Sequence, residues 1–393
     1  MIDLKQLDSI IQEAKDRANG LKDACATGAA QSAQSFDLPD GNILYQGDGP
    51  AVMQALAANG CAGRMQCIYL DPPFLSGADY QATVRIRSEK LGEELSVKVP
   101  AYADTWRKSH DADQKTASGA AAYFRTLAES LVLARELLTD TGLLWLHLDW
   151  HSVHYARVML DAVFGEERFI NEIIWQYKSG GSSKRHFARK HDTILVYAKT
   201  ADYRLHVGKE KSYNRGLKPY RFKGVEEYED ENGWYTLVNE KDVWSIDMVG
   251  RTSAERNGYA TQKPMALMER IISASTELGD LAGDFCCGSG GFLEAAAKNG
   301  RRAVGCDRSS LALALTEKRL RDAGIPYARH SAAAAESGAA TCREDILRAL
   351  KPADRAAFER IIREDPAALT LFEEIQPDGT RRTVDVFGSE QFV

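Results

Sequence analysis

Short apolar runs alternate with longer segments of helical spacing along most of this chain, and the runs stop on acids. "NILYQGD", "IYLD", "LLWLHLD", "LAGD" and "RAVGCD" end on Asp48, Asp71, Asp149, Asp284 and Asp307. Between them, "YFRTLAESLVLARELL", "SVHYARVMLDAVFG" and "MALMERIISAS" carry apolar residues at helical spacing. Strands joined by helix-length crossovers cannot pair as hairpins. They form a parallel sheet covered by helices on both faces. The expected fold class is therefore α/β.

At 393 residues the chain can bury a full core, and its length fits about two or three domains. It holds no apolar run long enough to span a bilayer, and "MIDLKQLDSIIQEAKDRANG" carries mixed charge without the apolar centre of a signal peptide. A cytoplasmic protein is expected. The seven cysteines, Cys25, Cys61, Cys67, Cys286, Cys287, Cys306 and Cys342, show no CxxC spacing. That argues against a disulfide framework and a zinc cluster, and no metal is expected. A net charge of −6 does not advertise a nucleic-acid binder, but phosphate affinity follows local basic surface, not the average.

Five segments follow from the pattern. Residues 1–36 read as helical and 37–200 as the first α/β part, with "VRIRSEKLGEELSVKVP" a candidate hairpin. Residues 201–255 break the alternation with aromatic and charged residues, and 256–330 resume it. Residues 331–393 read as an alanine-rich linker and a charged helical extension.

Three stretches carry candidate chemistry. "GDFCCGSGGFLEAAAKNGRRAVGCD" is a strand, a glycine turn, a helix and a second strand ending on Asp307. Gly288, Gly290 and Gly291 let backbone approach a ligand at a helix N-terminus, and an acid at the next strand tip suits a ribose diol. The turn lacks the third glycine of the dinucleotide fingerprint, which leans toward an adenosyl cofactor. "TQKP" (261–264) has the plain reading of a loop with proline at a first helical turn. "DPPF" (71–74) has the plain reading of a strand running into a loop. The histidines His147, His151 and His154 lack metal spacing and read as satisfied core or surface residues, and Asp149 as a cap for the next helix.

Taken in this order the motifs resemble one family, the permuted β-class amino-group DNA methyltransferases of adenine-N6, restriction–modification type. The likeness runs from about Asn42 to Asp322. It rests on "NILYQGDGPAVMQAL", "IYLDPPF", "ARELLTDTGLLWLHLDWHSVHYARVMLDAVFG", "FINEIIWQYKSGG", "HDTILVYAKT" and the segment through "TQKP" into the glycine turn. The resemblance implies a circularly permuted Rossmann-like fold with a mostly parallel seven-stranded sheet. Residues 37–200 would be its catalytic half, 201–255 its target-recognition region and 256–330 its cofactor half.

By resemblance, Asp71 and the Pro72 carbonyl accept the hydrogens of a target amine, Pro73 stiffens the turn, and Phe74 stacks on an extruded base. S-adenosyl-L-methionine is the implied cofactor. Asp307 would take its ribose and Asp48 its adenine. Thr261, Lys263, Asp284 and the turn residues Cys286, Gly288, Ser289 and Gly290 would take its methionyl end. Lys178, Lys184, Arg185, Arg189, Lys190, Lys218 and Arg221 are the candidate DNA contacts. Double-stranded DNA is the implied partner, with a homodimer and a cognate restriction endonuclease as further expectations. The family turn reads D-x-F-x-G-S-G-T. Cys286 stands at its Phe and Gly291 at its Thr, which is expected to weaken cofactor binding or enlarge the pocket. The alternatives are methylation of cytosine N4, a non-catalytic methylase-like DNA-binding subunit, and an RNA or protein amide methyltransferase.

Overall fold

Side chains of successive strand residues point to opposite faces of a sheet, so a strand buried on both sides must be apolar throughout. "CIYL" shows this: Cys67 and Tyr69 pack into one apolar cluster, Ile68 and Leu70 into another on the opposite face. The structure, a computed structural model, describes residues 3–26, 41–77, 79–88, 90–104, 119–178, 183–250, 253–257, 259, 261–331, 347–365, 369–375 and 381–385.

The chain opens with α1 (Leu4–Ala26), β1 (Asn42–Gln46), α2 (Gly49–Leu56) and β2 (Met65–Leu70), then the hairpin β3 (Asp79–Ser88) and β4 (Glu93–Ala103). Next come α3 (Gly119–Leu137), β5 (Leu138–Leu148), α4 (Val153–Phe164), β6 (Phe169–Gln176) and β7 (His191–Ala198). The stretch that follows holds β8 (Lys209–Tyr213), β9 (Tyr228–Asp230), β10 (Gly233–Asn239) and β11 (Val243–Ser245). After it stand α5 (Met265–Ser275), β12 (Leu281–Asp284), α6 (Gly291–Lys298), β13 (Arg302–Asp307), α7 (Ser310–Asp322) and β14 (Tyr327–Ser331). The described chain ends with α8 (Pro352–Glu364), β15 (Leu369–Ile375) and β16 (Arg381–Asp385).

The main sheet runs β11-β6-β7-β5-β2-β12-β13-β1-β14. Every pair in it is parallel except those of β7, which lies antiparallel to β5 and β6. One face is covered by α1 to α4, whose apolar residues share a cluster with Ile68, Leu144 and Leu195. The other is covered by α5 and α6 with part of α7. The N-terminal helix earns its place through one stripe: Leu7, Ile10, Ile11, Ala14 and Ala18 are buried at helical spacing against the first face. Each large residue of that stripe contributes about 1.5–3 kcal/mol of burial. Among the described residues no helix is long and apolar enough to cross a membrane.

Two expectations need correction. The sheet has nine strands, not seven: β6 to β1 form the seven-stranded body, and β11 and β14 extend its edges. Both extra strands are edge strands, so "VWS" and "YARHS" need no long apolar run and gave no periodic signal. The C-terminal extension is not purely helical, because β15 pairs antiparallel with β3 and carries β16 beyond it. The hairpin edge supplies unpaired backbone groups that recruit these distant strands. The linker stretch 332–346 lies outside the described residues.

Candidate active site

Parallel neighbouring strands deliver their C-terminal ends to the same edge, where open α/β sheets bind ligands. The adjacent strands β2, β12, β13 and β1 therefore bring Asp71, Asp284, Asp307 and Asp48 to one rim, although these residues are far apart in sequence. They line a cavity of about 660 Å³ together with Pro72, Pro73, Phe74, Thr261, Lys263, Cys286, Gly288 and Ser289. Of the expected catalytic and cofactor residues only Gly290 is not on its wall.

The turn after β2 is held from two sides. Lys263 Nζ donates to Asp71 Oδ2 and also stands 5.3 Å from the centre of the Phe74 ring. Lys263 was expected at the cofactor's amino-acid end; the structure places it against Asp71. The other oxygen, Asp71 Oδ1, is buried with no hydrogen-bond partner. Nor does any described residue donate to the Pro72 carbonyl. Beyond the prolines, Leu75 adopts a left-handed φ of 65°, which a β-carbon makes unfavourable. Asp104, 1 % exposed, compensates: its Oδ1 accepts from Leu75 N at 2.9 Å and its Oδ2 from Ser76 N at 2.8 Å. No sequence pattern marks Asp104, an isolated acid after a hairpin.

His147 is the satisfied core residue that the sequence suggested, but its place beside Phe74 was not foreseen. It is 0 % exposed, and its ring stacks under Phe74 at 5.8 Å and 27°. Its Nε2 faces Asp192 Oδ2 at 3.2 Å and its Nδ1 faces the Tyr69 hydroxyl at 2.8 Å. Asp192 Oδ1 accepts from the Tyr177 hydroxyl at 3.0 Å. Burial pushes the Asp192 carboxyl up, but the His147 bond, the Lys263 charge and Tyr177 outweigh it, and the group stays ionised below its ordinary range. Burial, with the Asp71 charge nearby, holds Tyr69 well above the ordinary phenol value, so its hydroxyl remains a donor. In a neutral ring whose Nε2–H donates to Asp192, Nδ1 is left to accept from the Tyr69 hydroxyl. A usable signal existed, since a histidine inside the apolar run "LLWLHL" is a polar group that must find buried partners.

The glycine turn owes its shape to two left-handed positions, Gly288 at φ 48° and Gly290 at φ 75°. A β-carbon on Gly290 would lie 2.6 Å from Thr316 Cγ2. Gly288 N donates to Asp307 Oδ2 at 2.9 Å, and its carbonyl accepts from Thr316 Oγ1 at 3.0 Å. Asp307 Oδ1 takes Ser309 N at 2.8 Å, and Asp284 Oδ1 takes Cys286 N at 3.1 Å. Burial pushes both carboxyls above the ordinary range, Asp284 the further. Burial and the charges of Asp284 and Asp307 likewise keep the Cys286 thiol protonated. At the second departure from the family turn, a β-carbon on Gly291 would meet nothing nearer than 3.7 Å. Asp48 pairs with Arg308 Nη2 at 2.6 Å. Crowded acids around a cavity beside a helix N-terminus fit a ligand with two cationic centres and one carboxylate, the charge pattern of S-adenosylmethionine.

The expected DNA contacts form two groups, neither on the cavity wall. Lys178, Lys184, Arg185, Arg189 and Lys190 flank or lie in the connection between β6 and β7. Lys178 pairs with Asp247, and Lys190 Nζ donates to the Lys178 carbonyl. Lys218 and Arg221 are exposed between β8 and β9, in the small antiparallel sheet β8-β10-β9. Asp149, expected to cap α4, accepts from His151 N at 2.9 Å just before that helix.

A parallel sheet with acids converging on a glycine turn defines a nucleotide-type binding α/β protein, and the paired Asp71-Pro72-Pro73-Phe74 turn narrows it further. The model of a DNA methylase family (N6_N4_Mtase) matches residues 65–318, and the chain belongs to that family. The family's methyl donor is S-adenosylmethionine. The chain is 26% identical over 346 residues to the type II methyltransferase M.EcaI of Enterobacter cloacae, covering 71% of this chain and 69% of that one. It is 31% identical over 192 residues to the type II methyltransferase M2.DpnII of Streptococcus pneumoniae, covering 48% and 63%. Among solved structures it is similar to the M1.HpyAVI–SAM complex at 17% identity and a TM-score of 0.43, covering 71% of this chain and 100% of that one.

Proposed function

We propose that this protein transfers a methyl group from S-adenosylmethionine to the N6 amine of adenine in double-stranded DNA. The observation that carries the reading is Asp71, a residue of the cavity lining beside Phe74: one oxygen is held by Lys263, while Oδ1 is buried and has no hydrogen-bond partner. A buried acceptor without a partner is costly unless a ligand supplies a donor.

An exocyclic amine is a poor nucleophile because its lone pair is delocalised into the ring. Asp71 Oδ1 and the Pro72 carbonyl would each accept one of its hydrogens, drawing the lone pair out of conjugation and aiming it across the cavity. Proline has no N–H to compete there, and Pro73 limits the turn's freedom. When bound, the cofactor supplies a methyl group activated on a sulfonium. Asp71 would take the proton the amine then sheds. Phe74, backed by His147, would hold the extruded base by stacking. Asp307 would accept from the ribose hydroxyls and Asp48 would approach the adenine. Asp284, Thr261 and the turn of Cys286, Gly288, Ser289 and Gly290 would take the methionyl end. An acid at the head of the motif leans toward adenine. Residues 201–255, which hold the small sheet β8-β10-β9, are the candidate for target recognition, and a cognate endonuclease and a second copy of the chain are candidate partners.

Unmethylated genomic DNA incubated with the protein and labelled cofactor, then sequenced at base resolution, tests this. N6-methyladenine absent from the Asp71→Ala reaction is the expected result. Label only at cytosine N4 moves the reaction to that amine. No label in either base overturns the reading.

A further inference from the structure

Resting on that reading, we propose that residues 183–190, which lead into β7, are a wedge for duplex DNA. Phe187 enters the base stack beside the extruded nucleotide, and Lys184, Arg185 and Arg189 grip the flanking phosphates.

Position comes first. β6 runs parallel to β5 and β2 in direction, since both β6 and β5 are antiparallel to β7, so its C-terminal end reaches the same sheet edge as Asp71. The return strand starts with His191 and Asp192, and Asp192 holds His147 beneath the Phe74 ring. The loop is thus rooted one side chain away from the base platform. Its base is fastened by Tyr177 N donating to the Lys190 carbonyl at 3.0 Å. Inside it, Ser183 Oγ accepts from Arg185 N at 3.2 Å and His186 N at 3.4 Å, which shapes the approach to Phe187.

Composition comes second. Phe187 is 98 % exposed, with essentially its whole ring in water. A single exposed apolar residue is ordinary, but this one stands among Lys184, Arg185 and Arg189, all exposed and none ion-paired among the described residues. Arg189 stands over Trp150, its guanidinium carbon 3.8 Å from the ring centre, and Trp150 in turn lies 3.7 Å from the His151 ring at a tilt of 32°. Trp150 is 44 % exposed and follows Asp149 at the end of β5, on the same edge. The nearby acids are engaged: Asp149 by His151, Asp192 by His147 and Tyr177, Asp247 by Lys178. Their charge is therefore partly met locally, leaving the loop's cations to attract phosphate. An apolar ring flanked by basic side chains is the composition that inserts between base steps, where unstacking is offset by contact with the ring.

The test needs no recognition sequence. Anisotropy titrations compare two labelled duplexes of one sequence, one intact and one with a single abasic nucleotide, which offers a ready-made gap in the stack. The wild-type chain is expected to bind the gapped duplex about tenfold tighter, the scale of one stacking contact. Phe187→Ala removes that preference, and Phe187→Trp keeps it. Lys184→Ala and Arg185→Ala weaken both duplexes alike, keep the preference and flatten the salt dependence. Equal wild-type affinity for the two duplexes, or a preference that survives Phe187→Ala, overturns the wedge. Methyl transfer to genomic DNA by the wild-type chain is scored separately, so failure of the enzymatic reading and failure of the wedge are distinguished.

Discussion

At the scale of single residues, the site depends on what each oxygen and ring nitrogen is committed to. Asp71 commits one carboxylate oxygen to Lys263 and leaves the other buried without a partner. Asp71→Asn should lower kcat by about 10²–10⁴-fold while calorimetry shows cofactor affinity retained. Comparable loss of affinity would mean the acid serves the cofactor and not the amine. His147 is committed on both ring nitrogens, to Tyr69 and Asp192. Asp192→Asn and Tyr69→Phe should each cost about 1–3 kcal/mol in denaturant unfolding. Both act through one ring, so the double variant should cost less than the sum. Strict additivity would show that the contacts do not form one network. The apolar run "LLWLHL" announced a buried strand, but the partners of its histidine sit on other strands, and no local pattern reaches them.

At the scale of elements, the turn between β12 and α6 carries two glycines with opposite demands. Gly290 needs its left-handed φ and has no room beside Thr316; Gly291, at the helix start, has room and ordinary φ. Gly291→Ala should therefore raise stability by about 0.5–1 kcal/mol through the unfolded chain, with cofactor binding preserved. Gly290→Ala should lower the melting temperature and the cofactor affinity together. Thermal melts and calorimetry on the pair check this, and a destabilised Gly291→Ala would be the contrary result. The glycine turn was legible in the sequence because its signal is local. The strands β11, β14, β15 and β16 were not, because each is defined by backbone pairing to a segment distant in sequence.

At the scale of the whole molecule, the acids gathered by the sheet give stability and ligand binding opposite pH trends. Burial raises the Asp284 and Asp307 carboxyls, so the folded chain holds those protons to higher pH than the unfolded chain. Their contribution to stability is therefore present at low pH and lost as pH rises from the ordinary carboxylate value through the raised one. Cofactor binding needs the ionised forms and should strengthen over that same window. Melting curves with and without S-adenosylmethionine should draw apart as pH rises; a constant gap would separate these acids from the ligand.

The order of residues alone determined the strand–helix alternation, the glycine turn and the "DPPF" turn, because each arises from contacts within a few residues. Only the tertiary structure decided that β2 lies beside β12, that Lys263 reaches Asp71 across 192 positions, and that Asp192 reaches His147. Those pairings follow from strand order and two-sided packing, which depend on the whole core and leave no periodic trace in any one segment.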